Sequence, residues 1–281
     1  MTLYKYNSIR GNKVNEDFAW ANSQMGLVLD GASGLTCEKI TPDKSDAKWF
    51  SHFIGEYLKC NLLENLPIPH ILKNACDFSY KKYLEFHNTG IVNKSTLPSA
   101  SIALYRCVVN RLELYILGDC EIIVLLKNKG ILHFKNEEVT KLDNMVINQM
   151  QLISKTRKIS MNETYKEVLP MLIKNRELKN TAIGYGILEP IGEGLCYGNE
   201  LTLNKNEVEA VALMSDGFSP ALSMSIYETK YDLMKDLAMK SLDSLILEVH
   251  TILEEDIEFE KYPRFKLKDD ASVVFTSFSG I

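Results

Sequence analysis

Five acidic positions in this chain share one local context, the point where an apolar, strand-like run meets a small or polar turn. They are Glu16-Asp17 before Phe18, Asp30-Gly31 after Leu27-Val28-Leu29, Gly118-Asp119 after Leu112 to Ile116, Asp216-Gly217 after Val208–Met214, and Asp269-Asp270 before the run 272–278. Taken singly, an Asp-Gly pair is a turn, because aspartate and glycine tolerate turn backbone. As a set they ask for more. Carboxylates at strand ends beside glycine are places where backbone and side-chain oxygens can approach an ion. Hard divalent cations prefer carboxylate and carbonyl oxygens. A two-metal site needs one carboxylate able to bridge and others to hold each ion, and it turns water into a nucleophile near neutral pH.

The runs between these positions predict an α+β fold. Phe18, Trp20 and Leu27 to Leu29 read as two short strands around Asn22-Ser23. Residues 43–86 carry Ala47, Phe50, Ile54 and Leu58 at helical spacing, are interrupted at Pro67 and Pro69, and resume with Ile71, Leu72 and Ala75. Residues 99–134 change to strand period with turns at Asn110-Arg111, Gly118-Asp119 and 127–130, which reads as an antiparallel meander. Residues 136–178 return to helix, a strand-like segment lies near 196–203, and two helices fill about 229–256. No repeat or long linker divides the chain. The expected architecture is one domain, 1–281, of two antiparallel sheets packed face to face with helix pairs outside.

Composition removes several functional classes. A formal net charge of -5 and a pI near 5.7, without a basic stripe, argue against nucleic acid as partner. No segment reaches the about 20 consecutive apolar residues that span a bilayer, so no membrane partner is expected. The N-terminus, Met1 to Tyr6, has no apolar export core, and the expected location is cytoplasmic. The six cysteines, including Cys37, Cys107 and Cys120, form no C-x-x-C pair and read as reduced thiols. Gly184-Tyr185-Gly186 lacks the third glycine of a dinucleotide loop. His52 and His250 read as helix residues rather than ligands, Lys155 to Lys158 as a solvated helix end, and Met145, Met150, Met161 and Met171 as core filling.

In order along the chain, six motifs resemble those of the PP2C (PPM) family of metal-dependent protein phosphatases. They are Asn15-Glu16-Asp17-Phe18, Val28 through Gly34, Ser99 through Ala103, Leu117 through Glu121, Met214-Ser215-Asp216-Gly217-Phe218, and Asp269 through Val274. They span almost the whole sequence. The resemblance implies an αββα sandwich with a dinuclear Mg²⁺ or Mn²⁺ site at one edge. By motif position, Asp30 would bridge both ions. Asp216 and Asp269 would hold the first, and Glu16 with the carbonyl of Gly31 the second. Asp17 would orient bound waters, and Asp119 would join Asp216 at a third, weaker site found in some members. The implied substrate is a phosphoserine or phosphothreonine protein.

Two positions depart from the family pattern. Asn12 stands where many members carry a phosphate-clamping Arg, which leaves Arg10 and Lys13 as the nearby candidates for that work. Ala32 stands where animal members have a His proposed as general acid. Residues 136–195 fall where relatives carry a variable flap, and here that segment is long and helical. Two further readings follow. The same site could remove another phosphoryl-linked group, such as a nucleotidyl modification, or the domain could be an inactive scaffold. The retained carboxylates argue against the second.

Overall fold

The computed structural model describes residues 2–32, 39–87, 96–224 and 226–278. Ser33, Gly34 and Cys37, named above, lie outside the described residues. Among the described residues, ten strands form two five-stranded sheets. One sheet holds β2 (Phe18–Ala21), β3 (Met25–Ala32), β4 (Ser99–Val108), β5 (Arg111–Leu117) and β8 (Asn199–Asn204) in that spatial order. The other runs β1 (Leu3–Ile9), β10 (Ala271–Ser277), β9 (Val208–Met214), β6 (Glu121–Leu126) and β7 (Ile131–Phe134). Every pairing between named strands is antiparallel.

The layering follows from where each strand sends its apolar side chains. Between the sheets, Val28, Ala103, Tyr105, Ile122, Val211 and Val274 make a shared core. Alternate residues of the first sheet, among them Leu27, Leu29, Ile102 and Leu104, face out against α1 (Asp46–Asn61) and α2 (Ile68–Phe86) through Phe50, Ile54 and Leu72. The outer face of the second sheet packs on α6 (Lys230–Met239) and α7 (Leu242–Glu255), which present Leu233, Leu237, Leu245, Ile246 and Val249. Strands buried on both faces read as continuous apolar runs, which is why β9 is so plain in the sequence. A buried hydrogen bond from Tyr105 to Thr276 Oγ1, at 2.6 Å, ties one sheet to the other.

The expected meander over 99–134 is split. β4 pairs with β5 in one sheet and β6 with β7 in the other, and Gly118-Asp119 carries the chain across. Alternation predicts strands but not which sheet receives them. β1 was not visible as a strand, because Tyr4, Lys5, Tyr6 and Asn7 offer no apolar run; its register comes from the neighbouring β10, with Leu3 opposite Ser277 and Ile9 opposite Ala271.

Residues 136–195 fold as α3 (Glu137–Arg157), a short turn of 3₁₀ helix and α4 (Tyr165–Glu177), followed by irregular chain. Val146, Met150, Met161 and Val168 pack with Phe259 in a small core of their own. Of the four methionines, Met150 and Met161 therefore fill core, while Met145 and Met171 are exposed. Between α7 and β10 the loop is knotted by Arg264, whose guanidinium donates to Asp256 and to the carbonyl of Leu253 at 2.8 and 2.7 Å. The remaining helix, α5 (Pro220–Ser223), is a single turn after Asp216-Gly217. Among the described residues, no helix is long and apolar enough to cross a membrane.

Candidate metal centre

All five acidic positions arrive at one end of the sandwich. Strand register explains this directly. β3 ends where β4 begins, with Asp30 opposite Ser101, and β5 finishes beside them with Leu117 opposite Ile102. In the other sheet β9 ends where β10 begins, with Met214 opposite Val273, and β6 starts there too, with Glu121 opposite Met214. Antiparallel pairing thus sets Asp30, Asp119, Asp216 and Asp269 on a common rim, and the turn before β2 adds Glu16 and Asp17.

Backbone contacts lock this rim together. Asp270 is buried and spends both oxygens on amides, accepting from Gly11 and Glu16 at 2.7 Å each. That fixes the Glu16-Asp17 turn against the start of β10. Ser215 and Ser272 clamp β9 to β10, since Ser272 N–H donates to Ser215 Oγ at 2.9 Å and Ser215 N–H to the Ser272 carbonyl at 3.0 Å. Gly31 has no side chain for a reason: a Cβ there would meet the Glu16 carbonyl oxygen at 2.4 Å. Gly118 adopts φ +83°, in the left-handed region that other residues disfavour, and a Cβ would strike Ser101 Oγ. His250 is buried and its Nε2 lies 3.0 Å from the Asp269 carbonyl, so this histidine is a satisfied core group.

The carboxyl groups themselves are poorly compensated. Asp17 Oδ2 and Asp30 Oδ2 are buried with no hydrogen-bond partner. Burial raises the pKa of Asp30 well above the carboxylate range, and the charges of Asp216, Asp17, Asp119 and Asp269 push it further. Asp17 is raised in the same way, by burial first and then by Asp270 and Asp216, partly offset by Ser272 and Ser215. Asp216 lines the cavities at the rim, and desolvation there, followed by the charges of Asp269 and Asp119, pushes its pKa up to about 8. Asp119 is raised by burial, and its hydrogen bond with Ser101 works against the shift.

A cavity of about 360 Å³ opens over the rim. Glu16, Asp30, Gly31, Asp119, Asp216 and Asp269 all line it. Asp17 lies behind them, 3% exposed. Arg10 and Lys13 are exposed on the loop after β1 and are not among its described lining residues, and Asn12 Nδ2 donates away to the Lys268 carbonyl at 3.2 Å. Ala32, in the place of the family His, lines the cavity as a methyl group.

Three lining residues were missed in the sequence. Lys266 binds both oxygens of Asp269 at 2.9 and 2.7 Å; its spacing of three from Asp269 was the one available signal. Asp143 and Arg176 come from α3 and α4, and no local pattern announces either. Burial and Asp119 push the Asp143 pKa up to about 7, while Arg176 and Lys266 pull the other way.

The donor set suits hard divalent cations. It consists of carboxylates plus the Gly31 carbonyl, and it leaves buried oxygens without partners. Among the described residues no three His, Cys, Asp or Glu side chains converge tightly enough to hold an ion in the present arrangement. Two prospective donors are turned elsewhere, Asp119 to Ser101 and Asp269 to Lys266. Mutual repulsion of the carboxylates is what a bound cation would relieve.

Comparison with solved structures shows the same fold in bacterial PP2C-type serine/threonine phosphatases. The chain is similar to the Mycobacterium tuberculosis serine/threonine phosphatase PstP/Ppp, with 15% identity, a TM-score of 0.56 and 99% of each chain covered. It is similar to the serine/threonine phosphatase Stp1 from Staphylococcus aureus, at 12% identity and TM-score 0.54, over 100% of this chain and 96% of that one. It also matches PppA of Pseudomonas aeruginosa, a regulatory component of T6SS, at 13% identity and TM-score 0.54, covering 98% and 97%. The PstP catalytic domain has also been solved in complex with two manganese ions. No family model and no curated protein matches the sequence. The αββα sandwich expected from the sequence is therefore the observed fold.

Proposed function

We propose that this chain is a divalent-metal-dependent phosphohydrolase of the PP2C type that acts on phosphoserine or phosphothreonine proteins. One observation carries the reading: acidic residues from five separate places in the chain meet at one rim, with buried oxygens left unpaired, in the fold used by serine/threonine phosphatases. The shared core between the sheets supports treating 1–281 as one unit with an appended insert.

Asp30, Glu16, the Gly31 carbonyl, Asp216 and Asp269 are the groups that would hold two Mg²⁺ or Mn²⁺ ions, with Asp119 available to a weaker third. Bound ions of this kind supply Lewis-acid polarisation of phosphoryl oxygens and a water-derived nucleophile at neutral pH. The rest falls to the chain. Asp17, buried with its Oδ2 unpaired, would accept hydrogen bonds from water at the ions. Asp270 holds the Glu16 turn rigid. From the insert, Leu142, Tyr165 and Leu172 add an apolar part to the cavity lining. No histidine lines the cavity among the described residues, and Asp143 is a protonatable lining group whose pKa burial pushes up to about 7.

Hydrolysis of p-nitrophenyl phosphate with Mn²⁺, Mg²⁺ or EDTA tests the reading, alongside Asp30→Asn and Asp216→Asn. Metal-dependent turnover that falls by about 10²–10³-fold in both variants is expected, the scale seen when a transition-state stabiliser is removed. Absence of turnover together with absence of calorimetric Mn²⁺ binding refutes it. A phosphopeptide set against an AMP-modified peptide then decides the leaving group.

A further inference from the structure

The cavity over the rim is lined by carboxylates of the sandwich and, from the insert, by one arginine beside one aspartate. Asp30, Asp119 and Asp216 line it from the sheets, while Arg176, in the last turn of α4, and Asp143 of α3 line it from the insert. The other cations nearby are engaged. Lys266 is bound to Asp269. Lys179 lies 3.5 Å from Glu189 and donates to the Leu97 carbonyl at 3.0 Å. Arg157, at the far end of α3, pairs with Glu167 at 2.7 Å. Arg176 is half-buried, and its guanidinium makes no hydrogen bond or ion pair with any described residue. It is still near enough to Asp119 and Asp143 to lower the pKa of each against the burial that raises it.

We propose that Arg176 binds the substrate phosphate, gripping its non-bridging oxygens from the insert while the metal-holding rim faces it from the sheets. The assignment rests on the phosphatase reading of the rim. A phosphate dianion entering a cavity lined by carboxylates needs positive charge in that lining as well. A guanidinium supplies two parallel N–H donors in a plane, which matches two phosphate oxygens at once. The position that would do this by resemblance, Asn12, is directed at the Lys268 carbonyl, and Arg10 and Lys13 stand outside the described lining. The grip has therefore moved from the loop after β1 to the insert. Phosphate binding then depends on how α4 is seated, through Val146, Met150, Met161, Val168 and Phe259.

The test uses the full chain with Mn²⁺ and four variants: Arg176→Ala, Arg176→Lys, Arg10→Ala and Lys13→Ala. For each, KM and kcat are measured on p-nitrophenyl phosphate and the inhibition constant for inorganic phosphate is determined. Calorimetric Mn²⁺ affinity and thermal midpoint are recorded as controls. Arg176→Ala is expected to raise KM and the phosphate inhibition constant by about ten- to a hundredfold, as loss of a charged hydrogen-bond partner does. Mn²⁺ affinity and thermal midpoint should hold, and Arg176→Lys should recover part of the loss. An unaffected Arg176→Ala in an active enzyme overturns the assignment alone, as does a loss confined to Arg10→Ala or Lys13→Ala. A fall in Mn²⁺ affinity and thermal midpoint shared by both Arg176 variants makes the residue structural and also overturns it. A wild-type chain without Mn²⁺ binding or turnover removes the phosphatase reading, and the assignment with it.

Discussion

Asp30 and Arg176 face one cavity from two kinds of structure. Asp30 lies near the end of β3 among fixed neighbours: Ser101 across the ladder, Leu29 buried beside it in sequence, and Glu16 pressed against Gly31. Arg176 ends a helix in an insert held by a five-residue core of its own. The rim belongs to the cooperative centre of the sandwich, with large cores on both faces of each sheet. The insert belongs to its edge. In the proposed reading, chemistry that needs fixed geometry would sit on the first, and groups that meet substrate on the second. Local stability differs between regions of one chain in this way because buried contacts are unevenly shared.

The sharpest way to break that contrast is to truncate both cores. Leu213→Ala, between the sheets, is expected to cost about 2–5 kcal/mol of global stability. Met150→Ala, in the insert, should lower the urea midpoint much less, because the insert can open without the sandwich, and it should weaken phosphate binding instead. Equal loss in the two variants would show one cooperative unit.

Acidity offers a second test. Asp17, Asp30, Asp143 and Asp216 all have folded-state pKa values raised above the ordinary 3.8, Asp143 to about 7 and Asp216 to about 8. Between pH 4 and 8 the folded metal-free chain therefore holds protons that the unfolded chain has lost. Stability conferred by those protons is present below pH 4 and disappears as pH rises toward 8. Thermal midpoints of EDTA-treated protein should fall across that range, and Mn²⁺ should flatten the fall. Asp30→Asn should raise the metal-free midpoint at pH 8 while shrinking the gain on adding Mn²⁺. A midpoint that climbs with pH in EDTA contradicts the uncompensated rim.

The smallest expected effect concerns the seam between the sheets. Tyr105→Phe deletes the hydrogen bond to Thr276 and leaves that hydroxyl to find another partner, at about 1 kcal/mol. Chemical denaturation resolves a change of that size, and metal-dependent turnover should not move.

Much of this molecule is legible in its residue order. The apolar run Val208–Met214 is β9 to the residue, and the helical spacing from Ala47 to Leu58 falls within α1. The acidic pairs mark strand ends because a carboxylate beside glycine or serine is favoured where backbone turns, and that preference is local. Their convergence could be expected only through the family motifs. What tertiary structure alone decided depends on partners distant in sequence. β1 is a strand because β10 lends it hydrogen bonds. The run 99–134 divides between two sheets because the cores above and below need both hairpins. Asp143 and Arg176 enter the cavity because Val146 and Val168 find Phe259, more than ninety residues further along the chain. Local propensity and pattern set the strands and their acidic ends, while the rim those ends build, and the cation that the insert adds beside it, follow from long-range packing that no segment carries by itself.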